Sequence, residues 1–334
     1  MTADAVGGVW TYALDLVRAL PEVEFVVSTM GRRPSADQVL DLPPNMTLRF
    51  GEFRLEWEEE PWDDVRAAGD WLLALEREFE PVVVHLNGFV HAALPFRAPT
   101  LSVFHSDVLS WWRAVKGEDA PAMWDRYAAS VGEGLRAADL VAAPTRAMLD
   151  EASRLYGPLS RTAVLPNGRD GFAPTAKEPF VFAAGRMWDE AKSVAALSTL
   201  DVAWPLRVAG EGSPLGRLPA NEVRDLMARA AIYALPARYE PFGLSVLEAA
   251  LSGCALVLGD IPSLRENWEG CAIFVAPDDR ASLQYAVAGL IDDAGKRARL
   301  GAAARARGLE LSLERFAEGY REAYASLIPV GAVR

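Results

Sequence analysis

The sequence has few cysteines and no long apolar run. Cys254 and Cys271 are its two cysteines, neither belongs to a CxxC pair, and we interpret both as reduced thiols of a cytoplasmic protein. A membrane-spanning helix needs about 18 consecutive apolar residues, and no stretch of this chain approaches that length. Residues 1–9 also lack the basic and apolar regions of a secretory signal. We therefore expect neither a transmembrane segment nor a signal peptide.

Basic residues are scarce relative to acidic ones. The chain has 34 lysines and arginines against 46 aspartates and glutamates, which gives a net charge of −12 at pH 7. So acidic a chain lacks the positive surface that binds a phosphate backbone, and we expect no nucleic-acid partner. Attraction to an anionic membrane is disfavoured for the same reason, so we expect at most peripheral membrane contact.

Short apolar runs and helical patterns alternate along the chain. Its 334 residues suggest about two domains, and 51% hydrophobic residues supply a core for each. Continuous apolar runs between helices are typical of parallel strands covered on both faces. The predicted strands are residues 25–29, 82–86, 101–105, 140–143, 162–165, 180–184, 206–209, 232–235, 255–258 and 273–275. The predicted helices include residues 145–156, 222–231, 244–252, 281–292 and 313–327.

Residues 166–179 interrupt this alternation. They contain three prolines and two glycines, a composition typical of a linker between domains. The sequence therefore predicts two α/β units in tandem. Ligands of such units bind outside the carboxyl ends of the parallel strands, so we expect the binding site in a cleft between the two.

Residues 238–249 carry the strongest chemical signal. Gly243 permits a tight turn before a helix, and the free N–H groups of a helix start attract anions. The donors there would be the N–H groups of Phe242, Gly243 and Leu244. Glu240 and Glu248 flank this start, and carboxylates accept hydrogen bonds from sugar hydroxyls. The combination suits a nucleotide sugar, and the alternative is a capped helix with two surface glutamates.

This segment resembles a known signature. It is similar to the E-x7-E motif of retaining glycosyltransferases, and the run EPFGLSVLEA resembles glycosyltransferase family 4. Further matches follow in the family's order over nearly the whole chain. They are Gly7-Gly8-Val9 with Tyr12, Val103-Phe104-His105-Ser106, Leu165-Pro166-Asn167-Gly168, Ala184-Gly185-Arg186 with Lys192, and Val208-Ala209-Gly210-Glu211-Gly212.

The resemblance implies the GT-B fold, an α/β arrangement of two Rossmann-like domains that face each other across a cleft. It assigns residues 1–166 to an acceptor-binding domain and residues 167–312 to a domain that binds the nucleotide sugar. A last helix, at about 313–334, is expected to cross back to the first domain.

The resemblance also assigns roles to single residues. Arg186 and Lys192, six positions apart, are expected to neutralise the charge that builds on the β-phosphate of the leaving nucleoside diphosphate. Glu240 is assigned to the hydroxyls of the donor sugar and Glu248 to the ribose. His105 is expected to reach the donor sugar from the first domain. The other candidate substrate-binding residues are Gly7, Gly8, Asn87, Gly185, Gly210, Phe242, Gly243 and Leu244, with Gly8 expected close to the phosphates.

Plainer interpretations stay open for several of these residues. Arg186 and Lys192 could pair with Asp189 or Glu190 rather than with a ligand, and His105 could be a packed or surface histidine. Four further residues lie outside the resemblance. His85 and His91 are expected to be structural, while Trp111 and Trp112 could line an acceptor pocket or pack in the core.

Two motifs are absent. The sequence has no D-x-D that would hold a diphosphate through a metal and no G-x-S-x-G nucleophile elbow. We therefore expect an enzyme without metal or cofactor, which moves a hexose with retention from a nucleotide-diphosphate sugar, in preference a UDP-sugar, to a glycan or small-molecule acceptor. The alternatives are a nucleotide-sugar epimerase on the same fold and a non-catalytic or truncated relative that acts as a partner subunit.

The chain departs from the family in two places. Only residues 1–5 precede the Gly-Gly pair, where the family has a full strand. Either the assigned start is wrong or the first sheet lacks much of a central strand, which would leave buried backbone groups unpaired. The segment of residues 212–222 is also shorter than in the family, where a helix and a strand usually lie near the nucleotide base. The identity of the base and the completeness of the second sheet are open at this point.

Overall fold

The computed structural model describes residues 1–328, which divide into two compact units. The first unit contains Met1–Ser110, Asp119–Pro166 and the chain from Leu313 onward. The second contains Trp111–Glu118 and Asn167–Ser312. The end of the predicted crossover helix, residues 329–334, lies outside the described residues.

The first unit is built on parallel strands in two sheets, with orders β1-β2-β3 and β4-β5-β6-β7. Its strands are β1 Thr2–Asp4, β2 Phe25–Met30, β3 Met46–Phe50, β4 Val84–Leu86, β5 Thr100–Val103, β6 Leu140–Ala143 and β7 Thr162–Val164. The helices of this part of the chain are α1 Gly8–Ala19, α2 Ala36–Val39, α3 Trp62–Phe79, α4 Val108–Lys116, α5 Asp125–Ala137 and α6 Arg146–Tyr156.

The second unit is built on one five-stranded parallel sheet of order β12-β11-β10-β8-β9. Its strands are β8 Glu178–Ala184, β9 Leu206–Ala209, β10 Ala230–Leu235, β11 Ala255–Gly259 and β12 Ala272–Val275. Its helices are α7 Ala220–Arg229, α8 Leu244–Leu251, α9 Pro262–Trp268, α10 Arg280–Asp292 and α11 Ala294–Glu310. The last described helix, α12 Leu313–Leu327, belongs to the first unit.

The apolar runs are strands because both of their faces are covered. Every residue of β10 and β11 is buried, as the unbroken apolar pattern predicts for a central parallel strand. All ten predicted strands are confirmed within two residues of their predicted bounds. The sequence missed β1, which is very short, and β3, whose residues are only half buried or exposed.

Residues 1–5 form a strand of only three residues at the end of its sheet, so the expectation that the first sheet lacks much of a strand here is confirmed. β1 pairs with β2 from Thr2 opposite Ser28 to Asp4 opposite Met30. On its other side, Asn87 donates its backbone N–H to Thr2 Oγ1 at 2.9 Å and its side-chain Nδ2 to the Thr2 carbonyl at 2.7 Å. The Asn87 side chain thus supplies a hydrogen bond that a longer ladder would make. A cavity of about 470 Å³ lies beside Met1, lined by the first residues of β2 and β4.

The second departure from the family is confirmed. Between β9 and α7 the chain forms neither a helix nor a strand, so β9 is the edge of its sheet. Leu215 donates its N–H to the Val208 carbonyl at 3.3 Å, and Gly210 donates to the Gly216 carbonyl at 2.8 Å. A compact turn therefore folds back onto the end of β9.

The packing of α5 leaves no room for a side chain at Gly134. A Cβ at this position would lie 1.9 Å from the Phe89 carbonyl oxygen, whereas a Cβ at Gly289 of α10 would meet nothing within 4 Å. We expect Gly134→Ala to destabilise the protein by about 3 kcal/mol, because backbone atoms must move. Gly289→Ala should stabilise it by up to about 1 kcal/mol, the usual gain of alanine over glycine in a helix.

Thermal unfolding followed by circular dichroism compares the two variants. The Gly134 variant should melt at least about 5 °C below the wild type, and the Gly289 variant at or above it. Equal melting temperatures for the two variants would contradict the close packing of α5 on residues 89–90.

Candidate active site

The start of α8 is an anion-binding geometry. Gly243 has φ 90° and ψ 64°, a left-handed conformation that favours glycine. The N-cap residue, Gly243, has no side chain to cap the N–H groups of this helix start, and such groups carry partial positive charge. Phe242, just before the turn, is buried and fixes the approach of the chain to the helix.

Glu240 lies just before this helix start and is paired with a lysine. Lys192 Nζ lies 2.5 Å from Glu240 Oε2, and both side chains are largely buried. Ser263 donates its hydroxyl to the Glu240 carbonyl at 2.6 Å, which holds the backbone in place. The alternative that Lys192 pairs with Asp189 or Glu190 is therefore wrong, since its partner is Glu240, 48 positions along the chain.

Arg186 follows β8 and pairs with its own turn. Its Nη2 lies 2.8 Å from Asp189 Oδ2, and its guanidinium carbon lies 4.4 Å from the centre of the Trp188 ring. Asp189 also accepts the Ala191 N–H at 3.0 Å. The plainer interpretation, a local ion pair with Asp189, is thus correct for Arg186. The side chain is still half exposed and open to a ligand.

Gly185 and Gly210 pack backbone to backbone at the carboxyl ends of β8 and β9. Gly185 donates its N–H to the Ala209 carbonyl at 2.9 Å. Gly210 has φ 140°, and a Cβ there would lie 2.1 Å from the Gly185 carbonyl oxygen. Larger residues at position 210 would therefore displace the loop that carries Arg186.

Glu248 is paired with an arginine that the sequence did not single out. Arg169 Nη1 lies 3.1 Å from Glu248 Oε1, and the two side chains are 15% and 16% exposed. Arg169 follows Pro166-Asn167-Gly168 and donates its backbone N–H to the Leu311 carbonyl at 3.2 Å. No local sequence signal connects positions 169 and 248, because the contact depends on the folding of the whole unit.

In the first unit, His105 follows β5 and is held by Asn87. His105 Nε2 lies 2.8 Å from Asn87 Oδ1. The Asn87 Nδ2 is committed to the Thr2 carbonyl, so Oδ1 faces the ring and His105 Nε2 must carry the proton. Burial lowers the pKa of His105 to about 4. The imidazole is therefore neutral near pH 7, with Nδ1 as its hydrogen-bond acceptor.

His85 is structural, as predicted. Its Nδ1 lies 2.7 Å from the Tyr324 hydroxyl and its Nε2 lies 3.2 Å from the Tyr12 hydroxyl. Tyr12 in turn donates to the Tyr320 hydroxyl at 2.6 Å, and its ring centre lies 4.5 Å from that of His105. This chain of contacts joins α12 to α1 and β4. The expectation for His91 is also correct, since its Nε2 lies 2.9 Å from the Val65 carbonyl in a buried setting.

Gly7 and Gly8 open α1. Gly7 has φ 86° and ψ −155° and precedes the helix without a side-chain cap. Both residues are exposed, and a Cβ at Gly7 would meet no atom within 4 Å. The glycine at position 7 is therefore required by backbone conformation and not by packing within the unit.

Two buried carboxyl groups near this site were not predicted. Glu56 accepts the N–H groups of Phe89 at 3.1 Å and Val90 at 3.2 Å, next to the loop that carries Asn87. Burial raises the pKa of Glu56 to about 7. Asp107, after His105, accepts the hydroxyl of Tyr156, and burial raises its pKa.

Trp111 and Trp112 contact each other edge to face, with ring centres 5.9 Å apart. They belong to the stretch of α4 that groups with the second unit, where Lys116 Nζ lies 2.6 Å from Glu190 Oε2. Within residues 1–328, no helix is long and apolar enough to cross a membrane, and no three His, Cys, Asp or Glu side chains are grouped as metal ligands.

Comparisons with known proteins identify the domains of the chain. The family model for Glycosyltransferase Family 4 matches residues 6–170, and the model for Glycosyl transferases group 1 matches residues 206–307. The glycogen synthase of Mycobacterium tuberculosis is 30% identical over 280 residues, which cover 70% of this chain and 66% of that protein. The matched region thus spans just under two thirds of the relative's length.

Solved structures share the fold at lower identity. Sucrose-phosphate synthase from Thermosynechococcus elongatus superposes with a TM-score of 0.83 at 19% identity, over 99% of this chain and 96% of the other. Anabaena HepE, solved in complex with UDP and glucose, has a TM-score of 0.75 at 17% identity, over 98% of this chain and 100% of the other. These are glycosyltransferases of the GT-B fold class, as predicted.

The chain therefore carries a family 4 glycosyltransferase domain over residues 6–170 and a group 1 glycosyltransferase domain over residues 206–307. The predicted resemblance to glycosyltransferase family 4 is confirmed by these matches.

The raised pKa of Glu56 predicts a pH dependence of stability. Burial raises the pKa of Glu56 from its ordinary value of 4.5 to about 7 in the folded state, so Glu56 adds stability at low pH that is lost as the pH rises from about 4.5 to about 7. Replacement by glutamine, which cannot ionise, removes this contribution. The difference in unfolding free energy between wild type and Glu56→Gln should therefore change by about 2–3 kcal/mol between pH 5 and pH 8. The wild type should be less stable, relative to the variant, at pH 8 than at pH 5.

Urea unfolding at both pH values measures this difference. The exposed Glu59→Gln serves as the control and should show the wild-type pH dependence. A difference that is constant with pH would mean that Glu56 is ionised throughout.

Proposed function

We propose that the protein transfers a hexose, with retention, from a nucleotide-diphosphate sugar to a glycan or small-molecule acceptor. The observation that carries this is the contact of Lys192 Nζ with Glu240 Oε2 immediately before the uncapped start of α8. A cation, a hydroxyl-accepting carboxylate and free backbone N–H groups together match the diphosphate and the sugar of one ligand. A UDP-sugar is the donor we propose, and the complexes of HepE with UDP and UDP-glucose support it.

In this proposal the diphosphate binds at the carboxyl ends of β8 and β9. Arg186 leaves Asp189 or shares its guanidinium with the ligand, and Lys192 turns from Glu240 toward the β-phosphate. Gly185 and Gly210 keep the loop free of side chains. Each fixed cation stabilises the negative charge that develops on the leaving nucleoside diphosphate.

Two carboxylates recognise the hydroxyls. Glu240 accepts hydrogen bonds from the donor sugar, and Glu248 accepts them from the ribose. His105 contributes from the first unit, where its neutral Nδ1 accepts a hydrogen bond from a sugar hydroxyl. Asn87 acts by fixing the tautomer of His105, because both polar atoms of its amide are already committed.

Transfer exchanges one bond for another on the same face of the sugar. The bond from the anomeric carbon to the β-phosphate oxygen breaks, and its electron pair leaves with the nucleoside diphosphate. The acceptor oxygen forms the new bond to the anomeric carbon, and its proton passes to the departing phosphate. The acceptor is held by the first unit, near Gly7 and Gly8. We also propose a cytoplasmic location, which the two free cysteines support.

A transfer assay tests the proposal directly. The protein is incubated with UDP-glucose, GDP-glucose or ADP-glucose and with glycogen, short α-glucans or monosaccharides. The expected result is a new glycoside with the α configuration in its proton NMR spectrum. Isomerised nucleotide sugar without transfer would identify an epimerase, and nucleotide binding without turnover would identify a non-catalytic subunit.

We further propose that transfer needs no metal, because Arg186 and Lys192 can supply the positive charge that a metal held by D-x-D would supply. Turnover measured with excess EDTA should equal turnover in added Mg²⁺ or Mn²⁺ within about twofold. Loss of turnover in EDTA that returns on addition of a metal would contradict this.

The two glutamates should fail in different ways. Ribose hydroxyls are the same in substrate, transition state and product, so Glu248→Gln should raise the donor KM and the Kd of the free nucleoside diphosphate. The donor sugar changes charge and shape during transfer, so Glu240→Gln should lower kcat and leave that Kd almost unchanged. Calorimetry with the nucleoside diphosphate and steady-state kinetics on both variants provide the measurement. The reverse pattern would mean that the donor binds in the opposite orientation.

A further inference from the structure

Arg169 has a fixed position in the second unit. Its backbone N–H is bonded to the Leu311 carbonyl, and its guanidinium carbon lies 5.5 Å from the centre of the Phe172 ring. The side chain is only 15% exposed. A guanidinium with both its backbone and its plane held in this way presents its N–H groups in one direction.

That direction is toward the Glu248 carboxylate. Nη1 of Arg169 lies 3.1 Å from Glu248 Oε1, while the backbone carbonyl of Glu248 accepts the Ser252 N–H at the end of α8. A glutamate side chain has three rotatable bonds, and holding it in one rotamer before a ligand arrives removes an entropic cost of binding.

We propose that Arg169 is a positioning residue of the donor site, which holds the Glu248 carboxylate oriented to accept the ribose hydroxyls. This rests on the proposed function, in which Glu248 contacts the ribose. In this proposal Arg169 acts through Glu248 and does not touch the diphosphate. Its effect should therefore be seen only with ligands that contain a ribose.

Three variants separate this role from a structural one. Arg169→Met keeps much of the stem and removes the charge, and Arg169→Lys keeps the charge without the planar guanidinium. Arg224→Met is the matched control, because the Arg224 guanidinium carbon lies 4.9 Å from the same Phe172 ring. Arg224 is exposed and on α7. If stacking on Phe172 were the function of Arg169, the Arg224 variant should show a similar defect.

The test is calorimetry with two probes, UDP and inorganic pyrophosphate, with ADP or GDP in place of UDP if either binds the wild type more tightly. Arg169→Met should raise the Kd of the nucleotide about 10-fold or more, as expected for a lost charged hydrogen bond. Its Kd for pyrophosphate should stay within about twofold of wild type. The nucleotide Kd of Arg169→Lys should lie between those of the wild type and Arg169→Met. Arg224→Met should have the wild-type Kd for both probes.

A double variant closes the test. If Arg169 acts through Glu248, then Arg169→Met combined with Glu248→Gln should bind the nucleotide no more weakly than the weaker single variant. Additive losses, an equal loss for nucleotide and pyrophosphate, or an unchanged nucleotide Kd would each overturn the proposal. A wild-type protein that binds none of the three nucleotides would instead contradict the proposed function, and this inference with it.

Discussion

Burying a carboxylate destabilises a protein unless a cation or several hydrogen-bond donors meet it, and the second unit is organised around two such groups. Glu240 and Glu248 stand on either side of the α8 start, and each is met by one cation, Lys192 and Arg169 respectively. Neither cation is local in sequence to its partner. Lys192 lies in the loop after β8, and Arg169 lies in the segment that precedes β8. Both segments must therefore pack near α8 for the two carboxylates to be compensated.

The same requirement explains why the site can bind an anion at all. Paired with Glu240, Lys192 is held beside the α8 start, whose N–H groups carry partial positive charge. In the proposed complex, an arriving diphosphate exchanges one anionic partner of Lys192 for another. The hydroxyls of the donor sugar then donate hydrogen bonds to the Glu240 carboxylate.

Sequence patterns predicted most of the strands and helices but only some of the side-chain contacts of the candidate site. The ten longer apolar strands and the glycine turns before α1 and α8 were predicted correctly, because burial on both faces and left-handed backbone leave direct marks on composition. β1 was not predicted, since three residues carry no pattern and its pairing is completed by the Asn87 side chain. Arg169 and Glu56 were missed for a different reason.

Their importance arises from contacts far along the chain. Arg169 meets a residue on α8, and Glu56 meets the backbone of residues 89–90. An arginine in a linker and a glutamate in an acidic stretch look like solvated surface residues. For Arg186 the sequence indicated two possible partners, a local aspartate and a ligand, and the structure shows the contact with Asp189.

The central claim is that Arg186 and Lys192 together neutralise the leaving diphosphate. The most direct measurement is the kcat/KM of Arg186→Ala and Lys192→Ala with the best nucleotide-sugar donor, on variants whose melting temperature matches wild type. Each change should lower kcat/KM about a hundredfold, which corresponds to roughly 3 kcal/mol of lost transition-state stabilisation. A variant that kept wild-type kcat/KM would contradict the assignment of the diphosphate to this end of the sheet.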